Sequence, residues 1–274
     1  MVAKLPSARR GCAARNKGRA MNDKQNPRIL ALSTTHGGLS PLSLGVWDFL
    51  LGLQDEAGIA GDGLEIGLLY GAAASKIVAH LREDERFCGL DKLLHADEVM
   101  TNICTTTGVS AERLSLIQAC SRQARRRGQL DAFRARCRFL HIDGEHSYDA
   151  VRNDLDLCID LMHDGGIIVV DDVLSVESVC VTHALFDHVR DRPHHLTLFL
   201  CGANKAYLCA PARLGFYRGA CLEQLVPFLE RQYEQPIRLC KNSHAWEQSY
   251  LSFLPRGDGP PYMEINRYLD HPPV

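Results

Sequence analysis

The chain has 274 residues, is 46% hydrophobic, and sets 31 Lys and Arg against 33 Asp and Glu for a formal net charge of -2. That length allows one large α/β core with a modest extension. The near-neutral balance sets aside nucleic acid as the main partner, because phosphate binders carry a basic excess. No apolar run approaches the roughly 20 residues that a membrane-spanning helix needs. None of the eleven cysteines forms a C-x-x-C pair, and Cys88, Cys158, Cys201 and Cys209 sit inside apolar runs. Reduced, buried cysteines in a cytoplasmic protein are expected from this pattern, not a disulfide framework or a zinc site.

In chain order, the first twenty residues hold six Lys or Arg and no acid. This composition has the character of a transit peptide. It lacks an apolar core and an amphipathic period, however, and Met21 follows at once, so residues 1–28 read as a disordered basic tail. The segment 41–58 places Val46, Phe49, Leu50 and Leu53 at helical spacing. "GLEIG" (63–67) is a first strand, "AAASKIVAHL" (72–81) a helix, "RFCGLD" (86–91) a second strand, and "RLSLIQA" (113–119) a third after a polar helical stretch. "FRARCRFLHID" closes in a fourth strand. From Tyr148 to Met162 the apolar residues 151, 155, 158 and 162 share one helical face, and "DGG" is expected to cap that helix. "IIVV" is a fifth strand, 178–190 a helix, and "HLTLFLCGANKAYLCAP" a hairpin about a Gly-Ala-Asn-Lys turn. Alternating strands and helices predict a Rossmann-like, seven-stranded, mostly parallel sheet with helices on both faces and an antiparallel C-terminal hairpin strand. Residues 221–233 read as one helix, 254–262 as loop, and 214–274 as an extension packed on the core.

Three features carry chemistry. "LEIGLLYGAAAS" places Glu65, Gly67, Gly71 and Ser75 between a strand and a helix, where open α/β sheets bind ligands and free helix N–H groups are available. Its E-x-G-x-x-x-G spacing differs from the three-glycine dinucleotide fingerprint, and an ordinary strand–helix turn has the same pattern. Asp91 ends the next strand, 26 residues after Glu65; an acid there can hold both hydroxyls of a ribose, or simply cap the following helix. Finally, Asp143 ends the fourth strand and Asp171–Asp172 the fifth. Adjacent strands lie about 4.8 Å apart, so these acids converge. Three neighbouring carboxylates repel, and a hard divalent cation such as Mg²⁺ relieves this. The alternative is that one acid caps a helix while another binds a cofactor.

"LEIGLLYGAAAS", "CGLD", "LHIDGEHSYDAVRNDLDL" and "GGIIVVDDV", in this order and spacing, resemble the class I S-adenosylmethionine-dependent methyltransferases. The resemblance is to the group related to macrolide-sugar and aminocoumarin-sugar O-methyltransferases and cephalosporin-hydroxylase-like proteins. It covers roughly residues 60–210, giving a methyltransferase domain over 29–213 with a helical lead-in. It implies S-adenosyl-L-methionine as cofactor, with Gly67 and Gly71 at its methionine part, Glu65 supporting that turn, and Ser75 at the helix start. Asp91 would take the ribose, Gln118 to Ser121 the adenine, and Asp143 would border the cofactor as well. Asp143, Asp171 and Asp172 match the metal ligands of Mg²⁺-dependent members; many relatives carry His-Asp in place of the last pair.

Methyl transfer needs two reactants held in line and a hydroxyl relieved of its proton. Glu145 matches the acid proposed as base in sugar O-methyltransferases, and His146 a residue shared with metal-free members, where a loop-fixing role competes. The expected substrate is a small hydroxylated metabolite of sugar or polyketide type, in natural product biosynthesis; no nucleic acid or membrane partner is expected, and a homo-oligomer is left open. The rival readings are a Rossmann-type NAD-dependent oxidoreductase and a non-catalytic, cofactor-binding member. His194–His195, the basic run 122–129 and "STTHGG" (33–38) read as solvated loop or helix face.

Overall fold

A computed structural model describes residues 39–243 and 249–256; the basic tail and "STTHGG" lie outside the described residues. Helix α1 (Pro41–Glu56) starts where Ser40 accepts the Ser43 N–H at 3.1 Å and proline occupies its first turn, a position where a missing N–H is tolerated. Strand β1 (Asp62–Ile66) follows, buried at every residue, as a strand covered on both faces must be. Helix α2 (Ala72–Ala79), β2 (Phe87–Asp91), α3 (Ala96–Thr107), β3 (Leu114–Gln118) and α4 (Ser121–Arg126) come next. The second half continues with β4 (Cys137–Ile142), α5 (Tyr148–Leu161), β5 (Met162–Val170), α6 (Val179–Asp191) and the hairpin β6 (Thr197–Gly202) and β7 (Lys205–Cys209). Ala203 and Asn204 turn that hairpin with φ of 49° and 54°, the left-handed pair that matches strand twist.

Among the described residues the sheet has nine strands, not seven, in the order β3-β2-β1-β4-β5-β7-β6-β9-β8. The five strands β3 to β5 are parallel, and β7 runs antiparallel between β5 and β6. The two further strands, β8 (Ile237–Ser243) and β9 (Ser249–Pro255), come from the C-terminal extension, and β9 pairs parallel with β6. Short, partly buried strands with a weak apolar alternation carry little period-2 signal, so their pattern reads as irregular. The loop expected over 254–262 therefore begins as strand, up to Pro255. Ahead of them, α7 (Leu214–Ala220) runs through a π-helical turn at Cys221–Leu225 into α8 (Val226–Tyr233), making the expected helix longer at its start.

Side chains alternate cleanly across β4: Phe139 faces a core with α1, α2, α3, α7 and α8, whereas Leu140 and Ile142 face one with α4, α5 and α6. Both faces of the sheet are thus covered. The expected glycine cap of α5 is not formed. Met162 follows Leu161 in extended conformation and "DGG" lies inside β5. There a Cβ on Gly166 would meet the Cys137 carbonyl at 2.7 Å, so close strand approach, not helix capping, requires the glycine. No helix among the described residues is long and apolar enough to cross a membrane.

Because β9 is a strand of the main sheet, the extension and the core should unfold together. Leu251 is fully buried opposite Leu200 of β6. Leu251→Ala should cost about 2–5 kcal/mol in one cooperative denaturant transition; a separate early transition would show an independent lobe.

Candidate functional site

The strand order reverses between β1 and β4, and the crevice at such a switch point is where open α/β sheets bind ligands. Here the loops after β1 and β4 touch. Gly67 has φ +90°, and a Cβ on it would lie 1.9 Å from the Asp143 carbonyl oxygen; any side chain would push the two loops apart. Gly71, at φ +82°, is the N-cap of α2. Between them, the Leu68 and Leu69 N–H groups donate to Asp91 Oδ2 at 2.8 and 3.2 Å, and Leu93 N–H donates to Asp91 Oδ1 at 2.8 Å. Asp91 thus holds the glycine loop while still facing a cavity of about 560 Å³, a size suited to a cofactor.

Gly67, Asp91, Ser121 and Asp143 line this cavity; Glu65, Gly71, Ser75 and Gln118 do not. Ser75 is buried and donates to the Gly71 carbonyl at 2.7 Å, fixing the helix start from behind. Ala119 to Arg122 line the cavity where Gln118 was expected to, because Gln118 is still a strand residue, paired with Asp91. Several polar cavity groups were missed, Asp154 and Lys92 among them. Asp154 of α5 is buried beside Ser121 and Asn153, and burial pushes its carboxyl up to about 6. Lys92 pairs with Glu145 across the cavity mouth. Its hydrogen bond, with a second from Ser147, holds the exposed Glu145 carboxyl below the usual range.

Beneath the rim lies a buried charge row. Glu65 Oε1 is 2.8 Å from His141 Nδ1, His141 Nε2 is 3.5 Å from Asp171 Oδ2, and Lys205 Nζ is 2.5 Å from the same oxygen. These residues belong to β1, β4, the end of β5 and β7, four neighbouring strands. Burial disfavours the His141 imidazolium, but the Asp171 carboxylate 3.5 Å from Nε2 and the hydrogen bond to Glu65 outweigh it and lift the group to about 9. Asp171 is likewise opposed by burial, yet the neighbouring His141 and the Lys205 ammonium hold it well below the usual carboxylate range. Asp143 is pushed up by burial and by the Asp171 charge. Neither His141 nor Lys205 stood out in the sequence: the first is a single polar residue within an apolar strand, and the second the first residue after a hairpin turn.

The three aspartates do not converge on one point. Metal-binding atoms that lie within 4.8 Å of one another form two overlapping sets, His141–Asp143–Asp171 and Asp143–His146–Asp172. Asp171 Oδ1 accepts the Asp172 N–H at 2.8 Å, and its Oδ2 faces Lys205 and His141. Both its oxygens face groups of the chain and it shares no ligand set with Asp172, so a three-carboxylate Mg²⁺ set does not fit this arrangement; the charge repulsion that called for a cation is met by Lys205 and His141. In the second set His146 Nε2 lies 3.2 Å from Asp172 Oδ2 and 3.8 Å from Asp143 Oδ1, and Nδ1 lies 3.1 Å from Ser178 Oγ.

Residues 64–173 match a family model described as a methyltransferase domain. The fold is shared with an O-methyltransferase from Bacillus cereus solved in complex with SAH, at TM-score 0.52 and 15% identity over 68% of this chain and 91% of that one. It is shared too with a protein from Corynebacterium glutamicum, at TM-score 0.53 and 13% identity over 69% and 92%. No curated protein matches the sequence.

The raised His141 group makes stability depend on pH. Its contribution is full below the ordinary imidazole value near 6.5 and is lost as pH rises through about 9. Melting temperature should therefore fall between pH 7 and pH 10, by on the order of 3 kcal/mol in stability, and His141→Gln should flatten that fall. An unchanged slope in the variant would remove His141 as its source.

Proposed function

We propose, for a chain whose residues 64–173 match a methyltransferase-domain model, that it is a class I S-adenosylmethionine-dependent methyltransferase that methylates a hydroxyl on a small metabolite, with His146 as the base. The observation that carries this reading is one rim holding both halves of the chemistry. The Gly67–Asp91 crevice and the Asp143–His146–Asp172 cluster meet at Asp143, which belongs to both. S-adenosyl-L-methionine, when bound, supplies an electrophilic methyl group. Asp91 offers acceptor oxygens to ribose hydroxyls, and Gly67 lets the backbone approach the cofactor. In the tautomer that carries its proton on Nδ1, directed to Ser178 Oγ at 3.1 Å, His146 has Nε2 free to take the acceptor's proton. Asp143 and Asp172 lie where positive charge then develops on the ring.

This choice departs from Glu145, the acid favoured by resemblance. Glu145 is exposed, paired with Lys92, and lowered in proton affinity, and general bases work best with a pKa near the operating pH. The proposed chemistry has no metal step, because Asp171 is engaged by Lys205 and His141.

The acceptor's class is supported by what flanks His146. Leu174, Val176 and Val179 are 68%, 90% and 64% exposed on the segment after Asp172, and Ser178 ties that segment to His146. Exposed apolar side chains beside a site fit an apolar partner, and residues 172–179 contain no Lys or Arg for a phosphate. A hydroxyl on an apolar, polyketide-like body suits this lip better than a sugar nucleotide.

Calorimetry should show S-adenosylhomocysteine binding and no NAD⁺ binding; NAD⁺ alone binding would return the oxidoreductase reading. With a panel of phenolic and polyketide hydroxyl acceptors, His146→Gln should lower kcat about 10²- to 10⁴-fold with S-adenosylhomocysteine affinity kept within about 3-fold. Glu145→Gln should cost less than about 10-fold. The reverse order would restore Glu145 as the base.

A further inference from the structure

Lys205 is 3% exposed, yet it stands directly after an exposed hairpin turn and points its ammonium at the catalytic rim. Its contacts are Asp171 Oδ2 at 2.5 Å and Asn204 Oδ1 at 3.4 Å. Asn204 in turn donates to Asp172 Oδ1 at 3.2 Å. The turn thereby reaches both members of the Asp171–Asp172 pair, one with a full positive charge and one with an amide. Side-chain exposure separates the three aspartates: Asp171 is 10% exposed, against 27% for Asp172 and 38% for Asp143. The most buried one is the one given a fixed cation.

A lysine ammonium and a divalent ion compete for the same thing on a carboxylate: oxygen lone pairs and a negative field. Mg²⁺ demands oxygens at about 2.0–2.1 Å in near-octahedral array. An ammonium hydrogen-bonded to Asp171 Oδ2 occupies that lone pair and adds repulsion against a second cation. A buried ammonium with a tight carboxylate partner does not leave easily, because it would be stranded in low dielectric.

We propose, on the reading of this rim as the methyl-transfer site, that Lys205 is its resident cation: the ammonium takes the place beside Asp171 that a divalent ion needs, and the metal-binding capacity of Asp143 and Asp171 is latent until that amine is removed. Lys205 is then a positioning residue. It holds Asp171 inward as a strut under His141 and leaves Asp143, His146 and Asp172 to face the acceptor.

The test is Mn²⁺ binding followed by the loss of the free-ion EPR signal, on the full-length protein. Wild type and Lys205→Arg, which keeps the charge, should bind Mn²⁺ weakly. Lys205→Met, which keeps the stem and drops the charge, should bind it at least about 10-fold tighter by freeing Asp171 to bind alongside Asp143. Lys205→Met with Asp171→Asn should lose that gain. Circular dichroism and a melting curve report whether Lys205→Met is folded. If it is not, Asp171→Asn alone decides: it should leave wild-type Mn²⁺ affinity unchanged, because Asp171 is not a ligand in the presence of the ammonium. Tight Mn²⁺ binding by wild type that Asp171→Asn weakens, or no gain in a folded Lys205→Met, overturns the proposal. S-adenosylhomocysteine binding by wild type, measured in EDTA, separates the two levels of inference. Its absence overturns the methyltransferase reading on which the role is built, whereas the Mn²⁺ results decide where the cation sits.

Discussion

The alternating charge row Glu65, His141, Asp171, Lys205 is the constraint on which the rest of the site depends. Four neighbouring strands each contribute one member, so negative and positive charges alternate across the middle of the sheet just beneath the crevice. Trp47 covers it from α1, with its ring edge-on to His141 at 4.7 Å between centroids. Such a row adds little net stability, because desolvation consumes most of the Coulombic gain. Breaking one link is costly, on the order of 3–5 kcal/mol, since the neighbour is left charged and alone. The row therefore specifies more than it stabilises. Only the native register sets Glu65 against His141, and that same register brings Asp143 and Asp171 to the carboxyl end of the sheet.

From there each functional loop inherits its place. The Asp143 N–H still bonds the Ile66 carbonyl at 2.8 Å and the Asp171 N–H the Ile142 carbonyl at 2.9 Å, so the first acids past the strands remain on the ladder and cannot wander. Asp91 holds the glycine loop from the other side by two backbone hydrogen bonds. The Gly67–Asp91 crevice and the acidic cluster are thus two ends of one hydrogen-bonded sheet edge. The apolar lip is a loop from Leu174 to Ser178 leading into Val179 at the start of α6, tied down by the Ser178–His146 contact and by the Leu174 N–H on Thr182. Rigid placement at the reacting end with variable loops at the acceptor end is how one fold serves many substrates.

The elements and their order were legible because buried parallel strands and amphipathic helices leave strong periodic signals. The register of β4 at "FLHI" and the face of α5 at 151, 155 and 158 are plain in the residues alone. The glycine loop, Asp91 and the three rim aspartates were legible too, since strand-end acids and glycines are conspicuous against apolar runs. Two things were not. Strands β8 and β9 carry weak alternation, being partly buried at a sheet margin. The countercharges His141 and Lys205 sit in segments whose local pattern says only strand and turn.

The sequence by itself determined the α/β architecture, the crevice at the end of β1 and the rim on which the acids gather, because all of these follow from local periodicity and from strand ends. Only the tertiary structure decided what the acids contact. Whether Asp171 faces a metal, the acceptor or the protein interior depends on which cation the sheet brings beside it, and Lys205 lies 34 residues away along the chain. Charge compensation acts through space over a few ångströms, and no pattern along the chain records which strands will be neighbours.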